Sequence, residues 1–288
     1  MAINKSWRHH YLPVFYLRGF TNGSRCFHIY NVEKKQFIKN GKVFHPQSYF
    51  YTENENTYFR NGESSDFIEQ TYSEVDNKVA KLIATIRSSE STNKFGISEY
   101  DVQMLNFFMS ILYWRLPHNK VKIEELLANN DLKSLGMKVL NKDGNRDLDF
   151  ENLLRKDPEF AKAYKFINSL MDPARGINCR TPYSIISKHP NLPFVCSDNP
   201  IIFQNENPNI YEDNYVFPLS GTRFFLRTPK QENFDFYLWL CFDVIIYKQA
   251  VKYVACSDIK YLEMLEDHFE KYKMSLEEFK LHLFKRLM

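Results

Sequence analysis

Apolar residues recur at helical spacing in the segment that begins at Ser64. The apolar positions of this segment are Ile68, Tyr72, Val75, Val79, Leu82, Ile83 and Ile86. Because residues three and four apart share one face of a helix, this spacing predicts an amphipathic helix over about 64–88, with Ser64 or Ser65 as its cap. The segment 98–116 is apolar on nearly every side, which predicts a buried helix that Pro117 ends.

The rest of the chain combines further helical patterns with short strand-like runs. Helices are predicted at 121–140, 149–170, 258–273 and 275–287. Strands are predicted at 26–30 and 36–38, which form a hairpin, within 42–51, and at 194–196, 201–203, 215–218 and 222–226. The four later runs favour an antiparallel sheet, and the segment 51–56 between the two groups of elements is predicted to be a solvated loop.

These elements together predict an α+β fold. Its helical core, which includes the helices over about 64–88 and 98–116, packs beside a mainly antiparallel sheet, and C-terminal helices follow. We expect a single domain over residues 1–288. The segment 173–193 is rich in Pro, Asn and Lys, and it is the one candidate for an internal division between a helical half and a β-containing half.

Composition narrows the function classes. With 288 residues, of which 44% are hydrophobic, the chain can bury a real core, and disorder of the whole chain is excluded. The 25 Phe and 18 Tyr against 9 Gly argue against a glycine-rich phosphate-binding loop. A net charge of +3 allows nucleic acid as a partner without indicating it.

Cysteine usage and the N-terminal residues suggest a cytoplasmic protein. The five cysteines are scattered and contain no Cys-x-x-Cys pair, so neither a disulfide framework nor a structural zinc site is expected. Residues 1–8 contain no apolar signal-like stretch. The longest apolar run, 236–247, is short and broken by Asp243, so we expect no association with a membrane.

The segment 9–20 places two histidines and an arginine among large aromatic residues. Burial of those rings is strongly favourable, so the segment should enter the body of the fold and bring its imidazoles with it. His9 and His10 are adjacent, and adjacent residues of an extended chain face opposite ways. We expect His10 to be the inward one because Tyr11 begins the apolar run. The alternative is that one imidazole packs in the core and the other is exposed.

Two carboxylates accompany the first predicted helix. Glu69 and Asp76 are seven residues apart, close to two helical turns, so both lie on one flank of the apolar face. They could border one cavity, or they could lie on a solvated helix edge.

Further polar residues lie at the end of the buried helix and between two of the predicted strands. A buried Arg115 must find a carboxylate, a phosphate or carbonyl groups, so it either forms an internal salt bridge, to Glu69 or Asp198, or binds a substrate phosphate. The same two alternatives, an internal salt bridge or a substrate phosphate, apply to Arg18. Asp198 and Asn199 could fold the backbone between two strands or project from the sheet into a pocket.

Four stretches of the chain resemble one family. They are His9–Phe20, Phe50–Thr52 with the helix that carries Glu69 and Asp76, Tyr113–Pro117, and Phe194–Pro200 with Phe217–Ser220 after it. In this order they resemble the uncharacterised bacterial family named domain of unknown function 4238. The chain departs from that family's pattern at Asp76, where the pattern has a glutamate, and at Leu116, where it has a threonine. The resemblance implies a fold-level grouping and a short set of polar positions.

We interpret this set as favouring a nuclease-like phosphodiester hydrolase that acts on RNA or DNA. The residues assigned to catalysis are His10, Glu69, Arg115, Asp198 and Asn199; those assigned to substrate binding are His9, Tyr11, Arg18 and Asp76; the candidate ligands of Mg²⁺ or Mn²⁺ are Asp198 and Glu69. One alternative is a non-catalytic protein whose aromatic pocket binds a nucleotide or a peptide. Another is a buried hydrogen-bond network that only specifies the fold.

Overall fold

The computed structural model describes residues 7–21, 23–89, 98–175, 182–205, 208–210, 212–229 and 234–288. Its helices are α1 (Val14–Leu17), α2 (Phe67–Ser88), α3 (Glu99–Arg115), α4 (Pro117–Asn129), α5 (Leu148–Arg155), α6 (Pro158–Arg175), α7 (Phe236–Lys248), α8 (Ile259–Glu270) and α9 (Leu276–Leu287). Its strands are β1 (Arg8–His10), β2 (Phe27–Asn31), β3 (Gln36–Phe37), β4 (Val43–Phe44), β5 (Tyr51–Glu53), β6 (Tyr58–Arg60), β7 (Glu63–Ser65), β8 (Tyr183–Ser187), β9 (Val195–Ser197), β10 (Ile202–Phe203), β11 (Tyr215–Pro218), β12 (Arg223–Arg227) and β13 (Tyr253–Cys256).

The described strands pair antiparallel in two larger sheets and two small ones. One larger sheet has the order β10-β11-β12-β8, and the other has the order β3-β2-β13-β9 with β4 also paired to β2. The small sheets are β1 with β5 and β6 with β7. The predicted α+β class and the predicted hairpin of β2 and β3 are therefore confirmed.

The two helices with the strongest sequence pattern are present, with one correction at a cap. Ser98 caps α3 in a reciprocal pair of hydrogen bonds with Asp101. The predicted cap of α2 at Ser64 or Ser65 is wrong, because both residues pair with β6 as part of β7. Asp66 occupies the cap position of α2 instead.

Two other helix predictions are wrong in their bounds, and proline explains the start of one helix and the break in the other. Pro117 ends α3 but is also the first residue of α4, a position where its missing N–H group costs nothing. The predicted helix over 121–140 therefore begins earlier and ends at Asn129. The predicted helix over 149–170 is two helices that break before Pro158, because proline is not tolerated inside a helix.

The opening segment enters the core, as the sequence predicts. Tyr16 is fully buried, and its ring stacks on Phe217 with a centroid distance of 5.8 Å and lies 6.0 Å from Phe108. Its hydroxyl donates a 2.8 Å hydrogen bond to the carbonyl oxygen of Pro218. This core thus joins residues from both sides of the segment 173–193. Residues 176–181 of that segment lie outside the described residues.

A second core surrounds α7, whose residues are buried on nearly every side. The helix packs against β9, α8 and α9. Across the described part of the chain, each helix is either too short or too polar to cross a bilayer.

Candidate functional site

His9 is the buried histidine of the opening pair. In β1, His9 lies opposite Thr52 and His10 lies opposite Tyr51 of β5. Only 1% of the His9 side chain is exposed, and its Nδ1 accepts a 2.8 Å hydrogen bond from the backbone N–H of Asn56. The expectation that His10 is the inward residue is therefore wrong in terms of burial, because the turn after β5 covers the face of β1 to which His9 belongs.

His10 is half-buried and keeps one ring nitrogen free. Its ring lies 5.6 Å from the ring of Tyr51, centroid to centroid. Among the described residues, its Nε2 has no hydrogen-bond partner although the atom is buried. Burial lowers the pKa of His10 and Arg115 acts in the same direction, while the backbone of Gln47 and the charge of Glu69 oppose them.

Arg115 lies at the centre of a buried network. Its Nη1 donates to both carboxylate oxygens of Asp76, at 3.1 and 3.0 Å, and its Nη2 donates to the carbonyl oxygen of His10 at 2.6 Å. The guanidinium also lies over the ring of Tyr72, 5.0 Å from the centroid. The internal salt bridge is thus formed with Asp76, and not with Glu69 or Asp198.

Burial and pairing act in opposite directions on the two charges of this pair. Burial disfavours the cation of Arg115, but Asp76 and Glu69 outweigh it and raise the pKa of the guanidinium. Burial also raises the pKa of Asp76, although Arg115 opposes the shift. The guanidinium stays charged, and two of its three nitrogens are committed to the protein.

Asn56 connects two further candidates, Glu69 and His9. Its Nδ2 donates a 2.7 Å hydrogen bond to Oε2 of Glu69, while its backbone N–H donates to His9. The predicted solvated loop at 51–56 is wrong for this residue, which is 4% exposed. The sequence carries no signal for this role, because a lone Asn in a polar stretch is ordinary turn chemistry.

Asp198 and Asn199 hold a different part of the structure. The two oxygens of Asp198 accept hydrogen bonds from the backbone N–H groups of Val251 at 2.8 Å, Lys252 at 2.7 Å and Tyr253 at 2.9 Å. Burial raises the pKa of Asp198, and these hydrogen bonds oppose the shift. Asn199 donates from Nδ2 to the carbonyl oxygen of Gln249 at 3.1 Å. Both side chains therefore fix the turn before β13.

The described residues do not fit a metal centre at the two candidate ligands. No group of three or more His, Cys, Asp or Glu side chains is placed to hold a metal ion within the described ranges. Both oxygens of Asp198 accept hydrogen bonds from backbone amides, and Oε2 of Glu69 accepts one from Asn56, so three of these four oxygens already serve other partners. Arg18, the remaining candidate, is exposed at the surface.

Tyr11 and Asp198 do meet at a pocket of about 200 Å³. We call it the tyrosine pocket, because Tyr11, Tyr51 and Tyr253 form much of its wall. The remaining lining residues are Glu33, Thr52, Pro117, His118, Asp198, Val251 and Lys252.

His118 brings an uncharged imidazole to this pocket. Burial, together with the charges of Lys122 and Lys280, lowers the pKa of His118 to about 4. The ring is therefore neutral near pH 7, and its Nδ1 has no hydrogen-bond partner among the described residues.

The Arg115 network is next in the chain to residues on two sides of the tyrosine pocket. Tyr11 follows His10 in the chain, and Pro117 and His118 follow Arg115 within three residues. The hydrogen bond from Arg115 to the carbonyl oxygen of His10 therefore ties together two walls of the pocket. Of the candidate residues, Arg115 and Asp76 belong to this network, whereas Tyr11 and Asp198 line the pocket itself.

The fold and the site define an α+β protein with a small aromatic pocket that is supported by a buried ion pair. The chain belongs to the family described as protein of unknown function DUF4238, whose model matches residues 8–235. Comparisons with curated proteins and with solved structures give no match. The matched part ends before α7, so Val251, Lys252 and Tyr253 of the pocket lie beyond it.

Proposed function

We propose that this protein binds a nucleotide and holds the base in the tyrosine pocket. The observation that carries the proposal is the convergence of three tyrosines, one of them the sequence candidate Tyr11, on one pocket to which the candidate Asp198 also contributes. Aromatic side chains bind nucleobases by stacking, and this contact tolerates any base because each has a π-face.

The size of the pocket favours a ligand that inserts a single nucleobase. Pockets for drug-sized ligands typically enclose about 300–1,000 Å³, whereas this one encloses about 200 Å³. A single base fits this description better than a dinucleotide cofactor. The sugar and phosphate would then lie outside the tyrosine wall.

Two cations beside the pocket suit a phosphate. The guanidinium of Arg8 lies 4.8 Å from the ring centroid of Tyr51, and Nζ of Lys252 lies 5.3 Å from that of Tyr253. Exposed arginine and lysine side chains commonly bind phosphate groups of nucleic acids and nucleotides. Glu33 and Thr52 offer oxygen atoms for a sugar hydroxyl.

Calorimetric titration with AMP, GMP, CMP, UMP and the matching nucleosides tests this proposal. We expect nucleotide binding that weakens about fivefold or more in Tyr51→Leu, since stacking contributes about 1–3 kcal/mol per base. Lys252→Gln should weaken nucleotides but leave nucleosides unchanged. Matched controls are Tyr100→Leu and Lys285→Gln, which alter an exposed tyrosine and an exposed lysine elsewhere. Binding of N-acetyltyrosinamide in place of every nucleotide would contradict the proposal and indicate a peptide ligand.

A phosphodiester hydrolase is the second candidate, and Nε2 of His10, which has no hydrogen-bond partner among the described residues, favours it. A neutral imidazole with an unpartnered ring nitrogen is the form that a general base requires, and burial lowers the pKa of His10. Arg115 and Asp198 no longer have a catalytic role in this candidate, because their polar atoms serve the protein itself.

Incubation of the purified chain with RNA, single-stranded DNA and duplex DNA tests the second candidate, with Mg²⁺, Mn²⁺ or EDTA present. Cleavage that His10→Ala abolishes and that the matched variant His28→Ala retains would support it. If wild type and His10→Ala leave all three polymers intact, the hydrolase is rejected. A cytoplasmic location also belongs to our proposal, since Cys196, Cys241 and Cys256 are free thiols.

A further inference from the structure

A second pocket, of about 500 Å³, lies between the β2–β3 hairpin and the helices α7 and α8. Its aromatic wall consists of Tyr30, Phe37 and Tyr247. The ring of Tyr30 packs edge-on against Phe37 at 5.1 Å and against Tyr247 at 6.0 Å, measured between centroids. We call this cavity the α8 pocket, because α8 adds three carboxylates to it, those of Glu263, Glu266 and Asp267.

The chain already places one ammonium group against this wall. Nζ of Lys248 pairs with Oε1 of Glu266 at 2.6 Å. The same nitrogen lies 4.8 Å from the ring centroid of Phe269 and 5.5 Å from that of Tyr247. Aromatic faces attract cations through the ring quadrupole, so this wall combines two interactions that favour an organic ammonium group.

Negative charge remains at the pocket after this pairing. Oε2 of Glu266 is buried and has no hydrogen-bond partner within the described part of the chain. Glu263 and Asp267 are exposed and four residues apart, a spacing at which like charges on a helix destabilise each other. The pocket carries three carboxylates against two ammonium groups, those of Lys35 and Lys248.

The arrangement of these carboxylates suits an organic cation better than a metal ion. Among the described residues, no three acidic, histidine or cysteine side chains converge on one point where a metal could bind. Instead the carboxylate of Glu266, whose side chain is 36% exposed, lies beside the aromatic wall, and those of Glu263 and Asp267 lie at the exposed rim of α8. A ligand that matches them has two separated positive charges and an apolar chain between them.

We propose that the α8 pocket binds an aliphatic diamine or polyamine. One ammonium group pairs with Oε2 of Glu266, next to Lys248, the carbon chain lies against Tyr30 and Tyr247, and the second ammonium group pairs with Glu263 and Asp267 at the rim. This site is separate from the tyrosine pocket and does not depend on the proposed nucleotide function.

Titration calorimetry of the full chain with putrescine and spermidine at constant ionic strength tests the proposal. Mg²⁺ and choline are tested in parallel. We expect saturable binding of both amines and at least about fivefold weaker binding in the double variant Glu263→Gln/Asp267→Asn, which removes two rim charges. The control variant Glu74→Gln changes an exposed carboxylate on α2 and should bind as wild type does.

Three results would overturn the proposal. They are the absence of saturable binding by either amine, equal binding of Mg²⁺ and putrescine, and unchanged amine binding in the double variant. Stronger binding of choline than of putrescine would also contradict it, because choline carries one charge. The variant Tyr51→Leu should not alter amine binding, so failure of the nucleotide proposal leaves this result unaffected.

Discussion

Nη2 of Arg115 donates a 2.6 Å hydrogen bond to the backbone carbonyl oxygen of His10, and Nη1 of the same residue binds the carboxylate of Asp76. One side chain thereby joins the end of α3 to α2 and to β1. Because Tyr11 follows His10 and Pro117 follows this end of α3, the contact sets the distance between two walls of the tyrosine pocket.

Replacement of Arg115 by Ala should destabilise the protein by about 3–5 kcal/mol, because it leaves Asp76 as an unpaired charge in a buried position. Urea unfolding followed by circular dichroism measures this loss. The control is Arg286→Ala, which removes a partly exposed guanidinium paired with Asp235 at 2.9 Å and should cost less than about 1 kcal/mol. Similar losses for both variants would show that the Arg115 network adds little stability.

The sequence predicts that Arg115 needs a partner, but it does not identify that partner. An arginine at the end of an apolar helix cannot remain unpaired when buried, and this argument needs only local sequence. Asp76 lies 39 residues earlier, on another helix. Glu69 and Asp198 were equally reasonable partners, because the packing angle between two helices depends on side chains along their whole contact.

Close packing also brings together stretches of the chain that carry the family resemblance. Gly19 of the opening segment accepts a 2.9 Å backbone hydrogen bond from Gly221, and a Cβ atom at Gly221 would overlap the ring of Phe194. Motifs far apart in the chain thus meet as packing partners. Sequence reasoning found these motifs but could not assign them to packing, because their contacts exist only in the folded chain.

Replacement of Asp198 by Asn should cost about 2–4 kcal/mol, because a charged acceptor that serves three backbone N–H groups is lost. Thermal and urea unfolding measure the change, and addition of EDTA or Mg²⁺ should not alter it. The control Asp149→Asn affects an exposed carboxylate and should be close to neutral. A loss of stability on chelation in the wild type alone would instead indicate a metal at Asp198.

Protonation of His118 should destabilise the fold in acid. Burial lowers the pKa of His118 from 6.5 to about 4, so the unfolded chain binds the proton more readily between these values. Stability is therefore fully present above pH 6.5 and falls by about 2–3 kcal/mol from this residue as the pH decreases towards 4.

The variant His118→Gln isolates this contribution. The free energy of unfolding, measured in urea at several pH values, should depend less steeply on pH in the variant than in wild type between pH 4 and 6.5. His282→Gln serves as the control, because His282 is exposed on α9 and should leave the slope unchanged. Parallel curves for wild type and His118→Gln would contradict the lowered pKa.

The apolar run around α7, which the sequence shows to be broken by one charged residue, contains the carboxylate of Asp243. Asp243 is fully buried, and its Oδ2 accepts from Nζ of Lys188 at 2.5 Å and from the hydroxyl of Tyr261 at 2.6 Å. Burial raises the pKa of Asp243 and lowers the pKa of Lys188, while each partner opposes the shift of the other. Among the described residues, Oδ1 of Asp243 has no partner.

Replacement of one member of this buried pair should cost more than replacement of both. Lys188→Met or Asp243→Leu alone leaves an uncompensated buried charge and should cost about 3–5 kcal/mol. The double variant removes both charges, so we expect its loss to be at least about 2 kcal/mol smaller than the sum of the single losses. Urea unfolding of the four proteins gives this coupling energy.

The control is the pair Lys162 and Glu159, whose side chains are more exposed and whose Nζ and Oε1 atoms are 2.8 Å apart. This pair should show a coupling energy below about 1 kcal/mol. If the losses at Lys188 and Asp243 simply add, the two charges do not stabilise each other, and the fold retains them for another reason.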